Sequence, residues 1–222
     1  MPQLRLEKND VMKLAYYDPF PPFLFCQRGN PKGLAIDILR QVFKRTHLKV
    51  IFIPAPMEKI TDLLQSNKVD GIAFYAINPE RLKVYDFSKP YLITGGALFE
   101  RSPNLANKGL KELGGKTVVT PKTGPLTEYI QKKFPRVKLL LVKDYPASLK
   151  AVMNGKADAA ALNIHVGNHL ANQFFPEEFT PPKKVFFRTP VGIAVLKSNQ
   201  TSFLKKFNEG LKKIKRMGRM TK

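Results

Sequence analysis

The sequence contains one cysteine, Cys26, among 222 residues, which excludes an internal disulfide framework. Its neighbours in "FLFC" are apolar, so the expected role is an ordinary loop or core thiol. Histidine is almost as scarce, and the three present are too scattered to form a recognisable metal cluster. No run of eighteen or more apolar residues occurs, so no stretch reads as a membrane-spanning helix. The opening "MPQLRLEKND" lacks the apolar core of a secretory signal. That fits a mature form whose leader was removed, and equally a chain that never leaves the cytoplasm.

Acid is also in short supply: 17 Asp and Glu stand against 38 Lys and Arg, a formal charge of +21. Such an excess attracts an anionic ligand, an anionic membrane surface or nucleic acid. Nucleic acid is not the expected partner, because no zinc-finger spacing, RNP pair or other recognition motif accompanies the charge. Much of the excess sits at ordinary surface positions, including the helical tail "SFLKKFNEGLKKIKRMGRMTK". The apolar side of that tail can dock on a folded lobe while its lysines face solvent.

What remains is a soluble globular composition, 43% hydrophobic, 10% aromatic and 25% charged, punctuated by eighteen prolines and fourteen glycines. The length admits one large core or two lobes of roughly 100 residues each. "VMKLAYY", "LKVIFI" and "VDGIAFY" read as strands, separated by helical patterns at Leu34, Ile38, Val42 and Phe43 and at Met57, Ile60, Leu63 and Leu64. Gly33 is placed to start the first helix close against a strand, and Asp37 reads as a helix-face or lobe-bridging residue.

After Phe99 a loop-rich segment, "ERSPNLANKGLKELGG", leads into a second α/β rhythm. This comprises "KTVVT", a helix around Leu126 to Phe134, "VKLLLV", a helix through Leu149 to Met153, and "ADAAAL". The last strand, in "KVFFRTPVGIAVLK", and the helix bearing Phe203, Phe207, Leu211 and Ile214 find their easiest home in the first lobe. The expected division is therefore 1–98 plus 190–222 for a discontinuous lobe 1, and 99–189 for lobe 2. The two crossings, near 97–101 and 186–191, suit hinge motion.

In "INPERLKVYDFSKPY", Arg81 follows a proline-bounded turn that Asn78 and Pro79 can form. Taken alone it reads either as a surface or interlobe salt-bridge residue or as a binding group. A guanidinium carries a rigid donor fork suited to a carboxylate's two oxygens, which a lysine lacks. Glu80 reads as structural or solvent-facing. His165 and His169, four apart, share one helical side and read as polar helix residues.

Taken in order, "DPFPPFLF", "KGLAIDIL", "ITDLLQSNKVDGIAF", "NPERLKVYDFSKPYL", "LKELGGKTVVTPKTG", "LKAVMNGKADAAALN" and "VGIAVLK" resemble the periplasmic solute-binding proteins of the polar-amino-acid type, solute-binding protein family 3. These are the receptor subunits of ABC importers. The resemblance implies a two-lobe periplasmic-binding-protein-like fold of type II, each lobe a mixed sheet flanked by helices, joined by a two-strand hinge. It implies closure around a ligand held in the cleft, presentation to an ABC permease, no cofactor, no catalysis, a monomer, and a periplasmic or extracellular location with membrane anchoring before processing left open.

For the site, the resemblance makes Arg81 the grip on a ligand carboxylate. It puts an aromatic of the early loop over the ligand, with Phe20 the best match and Tyr17 and Phe23 nearby. Asp18 either fixes that loop or touches the ligand. Three prolines, Pro19, Pro21 and Pro22, stiffen the loop. In the ligand-facing stretch, where relatives often carry Ser or Thr, this chain has Phe74, Tyr75 and Ala76, so the site is expected to be more aromatic and poorer in hydroxyls.

In lobe 2 the Gly-Thr anion turn of the family stands reversed, as Thr123 and Gly124, and reads equally as a plain helix start. The family's ammonium-holding aspartate is matched by Asn163, whose amide cannot neutralise an ammonium. That departure widens the expected ligand from an amino acid to an organic anion, a dipeptide-like fragment or a modified amino compound. Asp158 matches a fold-supporting position. Rival readings are a sensory module of a membrane receptor, a cyclohexadienyl-dehydratase-like enzyme calling on Glu80, Glu100 or Glu128, and a scaffold whose cleft is blocked by Phe74 and Tyr75.

Overall fold

Gly33 sets the geometry at the start of the first helix. Its φ of 113° suits glycine, and a Cβ there would fall on the Phe23 carbonyl, so only glycine lets the helix begin this close to the preceding loop. The structure is a computed structural model describing residues 11–101, 110–197 and 200–220, without the side chains of 217–220. The opening "MPQLRLEKND", residues 102–109 of the loop-rich segment and the last two residues of the tail lie outside the described residues.

Packing divides the chain into two units, Met1–Ile93 with Pro190–Lys222, and Thr94–Thr189. The first crossing lies earlier than the 98/99 boundary expected from the sequence. It falls inside a strand whose later residues pair within unit 2.

In unit 1, β1 (Met12–Tyr17) is followed by a small hairpin, β2 (Phe25–Gln27) and β3 (Asn30–Lys32), turned by Arg28 and Gly29 at positive φ. Next come α1 (Leu34–Thr46), β4 (Val50–Ala55), α2 (Ile60–Gln65), β5 (Gly71–Ala76), α3 (Pro79–Val84) and β6 (Tyr85–Phe87). β1 pairs in parallel with both β4 and β5. Every residue of β5 is buried, the signature of a strand covered on both faces.

The stripe expected on α1 holds at Val42 and Phe43 and is displaced in the first turns. Leu34 is 51% exposed and Ile38 half-buried, and the buried face is Ala35, Ile36, Leu39, Val42 and Phe43. The physical reason is phase: the close start at Gly33 turns Ala35 and Ile36 inward, and a 3.6-residue period carries that face to Phe43. Asp37 is exposed in the first turn, where a carboxylate complements the helix dipole.

β7 (Leu92–Phe99) runs into unit 2, followed by β8 (Thr117–Pro121), α4 (Pro125–Lys133), β9 (Lys138–Val142), α5 (Tyr145–Met153), β10 (Ala159–Asn163) and α6 (Ile164–Phe174). β8 pairs in parallel with β9 and β10, and β10 pairs antiparallel with β7, so this sheet is mixed. Leu98, Leu110, Leu113, Val118, Ile130, Ala159 and Ala161 form a core cluster, with Tyr129 and Phe186 against it. Asp158 accepts from Thr117 N–H at 2.8 Å, tying β8 to the turn before β10.

β11 (Phe187–Leu196) returns to unit 1, pairing antiparallel with β5 and β6, and α7 (Thr201–Met220) packs on α1. Phe203 and Phe207 meet the Phe43 ring at 6.1 and 5.8 Å, and Tyr91 meets Phe207 at 6.2 Å. Burying each such phenylalanine contributes about 1.5–3 kcal/mol.

Candidate functional site

The geometry around Arg81 begins with the strand it follows. β5 alternates its two aromatics across the sheet. Phe74 joins Phe20 and Phe23 at 5.9 and 5.3 Å, while Tyr75 meets Tyr85 edge-on at 5.7 Å and lies parallel to Phe87 at 6.2 Å. Past the strand, Asn78 caps α3, its Oδ1 accepting the Arg81 N–H at 2.8 Å, with Pro79 at the first helical position. This cap fixes the Arg81 backbone.

The guanidinium is then held twice. Its Cζ sits 3.8 Å from the centre of the Tyr75 ring, and Nη1 donates to the Ala76 carbonyl at 3.1 Å. Among the described residues no carboxylate pairs with Arg81, and its other guanidinium N–H groups have no partner. Glu80, next to it, points to Lys83 at 2.6 Å on the exposed side. The result is a half-buried cation, oriented on one face by an aromatic plate and on one edge by a carbonyl, with donors left to bind an anion.

Of the early-loop residues, Phe20 is only 6% exposed and packs against Tyr17 at 5.8 Å and Phe23 at 6.3 Å. Asp18 accepts from Cys26 N–H at 2.9 Å, so its carboxylate ties the loop to β2, where Cys26 is exposed. Neighbouring Tyr16 has its phenol pushed up to about 12, first by burial and then by the Asp18 charge.

In unit 2, Gly124 caps α4 at φ 127° without a side-chain bond, and Pro125 occupies the first helical position. Thr123 is exposed beside this start, and Thr127 Oγ1 donates to Pro121 O at 2.7 Å. Asn163 is 7% exposed and caps α6. Its Oδ1 accepts from His165 N–H at 3.0 Å and Val166 N–H at 3.3 Å, and its Nδ2 donates to Thr94 Oγ1 at 2.7 Å. Its amide is thus engaged at both ends by unit 2 itself. Tyr145, near the same strand end, has its phenol pushed far up by burial.

His165 and His169 are both exposed on α6, and among the described residues no three His, Cys, Asp or Glu side chains gather to hold a metal ion. Glu80 on α3 and Glu128 on α4 are exposed, and Glu100, just past the end of β7, is buried. Missed at the level of sequence were Tyr85 and Phe87, which back Tyr75, and Thr94, which holds Asn163. The i, i+2 spacing of Tyr85 and Phe87 signals a shared face, but nothing local reveals that β6 pairs with β11 and so comes beside β5.

The profile of the bacterial extracellular solute-binding proteins, family 3, matches residues 12–222. The ABC transporter glutamine-binding protein GlnH of Bacillus subtilis is 30% identical over 196 residues, covering 86% of this chain and 70% of that protein. Among solved structures, an ancestral arginine-binding protein bound to glutamine is 28% identical with a TM-score of 0.81, covering 96% of this chain and 95% of that one. A histidine kinase sensor domain with similarity to periplasmic binding proteins has a TM-score of 0.84 at 23% identity, with 94% and 92% covered, a likeness of fold.

Proposed function

The chain belongs to the bacterial extracellular solute-binding proteins, family 3, and from that premise we propose that it captures a small carboxylate-bearing solute, an amino acid or related organic acid, for an ABC importer. Arg81 is the anchor. The observation that carries the reading is the guanidinium stacked 3.8 Å from Tyr75 and tethered to Ala76 O, with donors remaining. A cation held this way loses little conformational freedom when a carboxylate docks, and the two oxygens meet a fork already oriented. Within unit 2, the exposed Thr123 and the start of α4, which no side chain caps, carry donors of the kind that bind an anion.

The glutamine named for both the Bacillus subtilis relative and the ancestral arginine-binding protein supports an amino-acid-sized solute. Asn163 argues for a solute that does not depend on a carboxylate there for its ammonium. Its Oδ1 is occupied by two helix N–H groups and it carries no charge. Delivery to a permease as a monomer completes the reading.

Native mass spectrometry of unheated protein, followed by identification of the retained molecule, tests this directly. The solute found should carry a carboxylate, and its amide or ester analogue should bind at least about tenfold more weakly. Equal affinity for the capped analogue would remove the carboxylate from recognition. The sensory reading rests on fold likeness to the kinase sensor domain. A signalling domain encoded in the same gene would favour it, and an adjacent permease and ATPase would favour uptake.

A further inference from the structure

The binding reading leaves the charge of the tail without a role. The last 22 residues hold eight basic side chains and one acidic one, Glu209, a disproportionate share of the +21. In the structure residues 201–220 form α7, and the two sides of its first four turns differ completely. Phe203, Leu204, Phe207, Gly210 and Leu211 are buried, whereas Lys205, Lys206, Lys212, Lys213, Lys215 and Arg216 are all exposed. Gly210 settles which side is which. A Cβ there would collide with Thr46 of α1, so the helix lies close on α1 and its lysines are forced outward.

Lys205, Lys212 and Arg216, at spacings of seven and four, fall along one line of the helix. Twenty residues of helix extend about 30 Å, so the charges form a strip rather than a point. Beside it runs an open groove of about 430 Å³ walled by Lys89, Lys205 and Lys212, with Thr201, Asn208 and Glu209. Lys215 Nζ donates to Pro90 O at 3.2 Å, holding one end of the strip to the same surface.

We propose that the solvent face of α7 is a docking surface for an anionic phospholipid bilayer. The strip is long and basic, and carries no exposed large apolar side chain among its described residues, which suits adsorption to headgroup phosphates rather than insertion. A bilayer is the extended polyanion that an extracellular protein meets, and the family is described as extracellular. Adsorption would hold the receptor at the membrane by a contact independent of Arg81 and of any solute.

The test is co-sedimentation of the full chain with pure phosphatidylcholine vesicles and with equimolar phosphatidylcholine and phosphatidylglycerol vesicles, at low and high salt. Binding should require phosphatidylglycerol and be lost at high salt. Each basic residue near the surface contributes about fivefold to partitioning, so Lys205→Glu, Lys212→Glu and Arg216→Glu combined should weaken it at least about a hundredfold. The matched control reverses Lys133, Arg136 and Lys138 of unit 2, an equal change in net charge at exposed positions. Thermal melts of both variants confirm folding. Equal loss in the control would overturn the proposal, because net charge and not this face would then be responsible. So would binding to phosphatidylcholine alone, or tighter binding of duplex DNA than of anionic vesicles at the same salt through the same three residues.

Discussion

β5 of unit 1 and β10 of unit 2 are both buried along their whole length, and each leads to a helix capped by an asparagine. In each, the cap's Oδ1 takes the N–H of the third helical residue, Arg81 after Asn78 and Val166 after Asn163. The backbone device is the same and the outcome differs. In unit 1 it aims a cation whose donors are only partly used; in unit 2 it turns Val166 into the core and leaves the cap itself as the polar group, bonded to Thr94. A shared local motif therefore specifies a helix start. The side chain three residues on, and the neighbours tertiary packing brings to it, decide whether that start becomes a binding group.

Five substitutions sharpen or break this contrast. Arg81→Ala should cost about 2 kcal/mol or more of binding, roughly thirtyfold in Kd, with little change in melting temperature. Calorimetric titration with the solute identified by mass spectrometry measures it, and unchanged affinity would erase the distinction between the two strand ends. Tyr75→Leu removes the aromatic plate and leaves the cation in place. About 0.5–2 kcal/mol of affinity should disappear while Arg81 still binds more tightly than alanine does.

Asn163→Ala should read out in stability first, losing about 1 kcal/mol through the missing cap. Asn163→Asp separates cap from charge, since aspartate caps as well and complements the helix dipole. It should melt near the parent temperature and improve binding of a zwitterionic amino acid relative to the parent. No gain would place that position away from the solute's ammonium. The smallest effect belongs to Lys83→Ala. It breaks the exposed Glu80 pair and should change stability by about 0.5 kcal/mol at most in denaturant titration.

Much of the fold was legible because its signals are local. β1, β4 and β5 announce themselves as apolar runs, and α7 as a 3.6-residue stripe through Phe203, Phe207 and Leu211. α1 was read as a helix whose inward face was right at Val42 and Phe43 and wrong in its first turns, because Leu34 and Ile38 fit the period as well as Ala35 and Leu39 do. Only the close start at Gly33 chooses between them. The turn at Asn78 and Pro79 was readable from residue types alone. That Phe74 and Tyr75 belong to different aromatic clusters follows from strand alternation, yet the members of each cluster come from segments distant in sequence.

From the sequence alone came the α/β class, the family resemblance, the turn at Asn78 and Pro79 and the cation at Arg81, all of which rest on residue type and short spacing. The tertiary structure decided that Tyr75 and the Ala76 carbonyl orient that cation, that Asn163 is bound within its own unit, and that the lysines of α7 share one outward face. These depend on β6, β11 and Thr94 meeting residues far away in the chain, and such long-range contacts are set by packing rather than by any local preference.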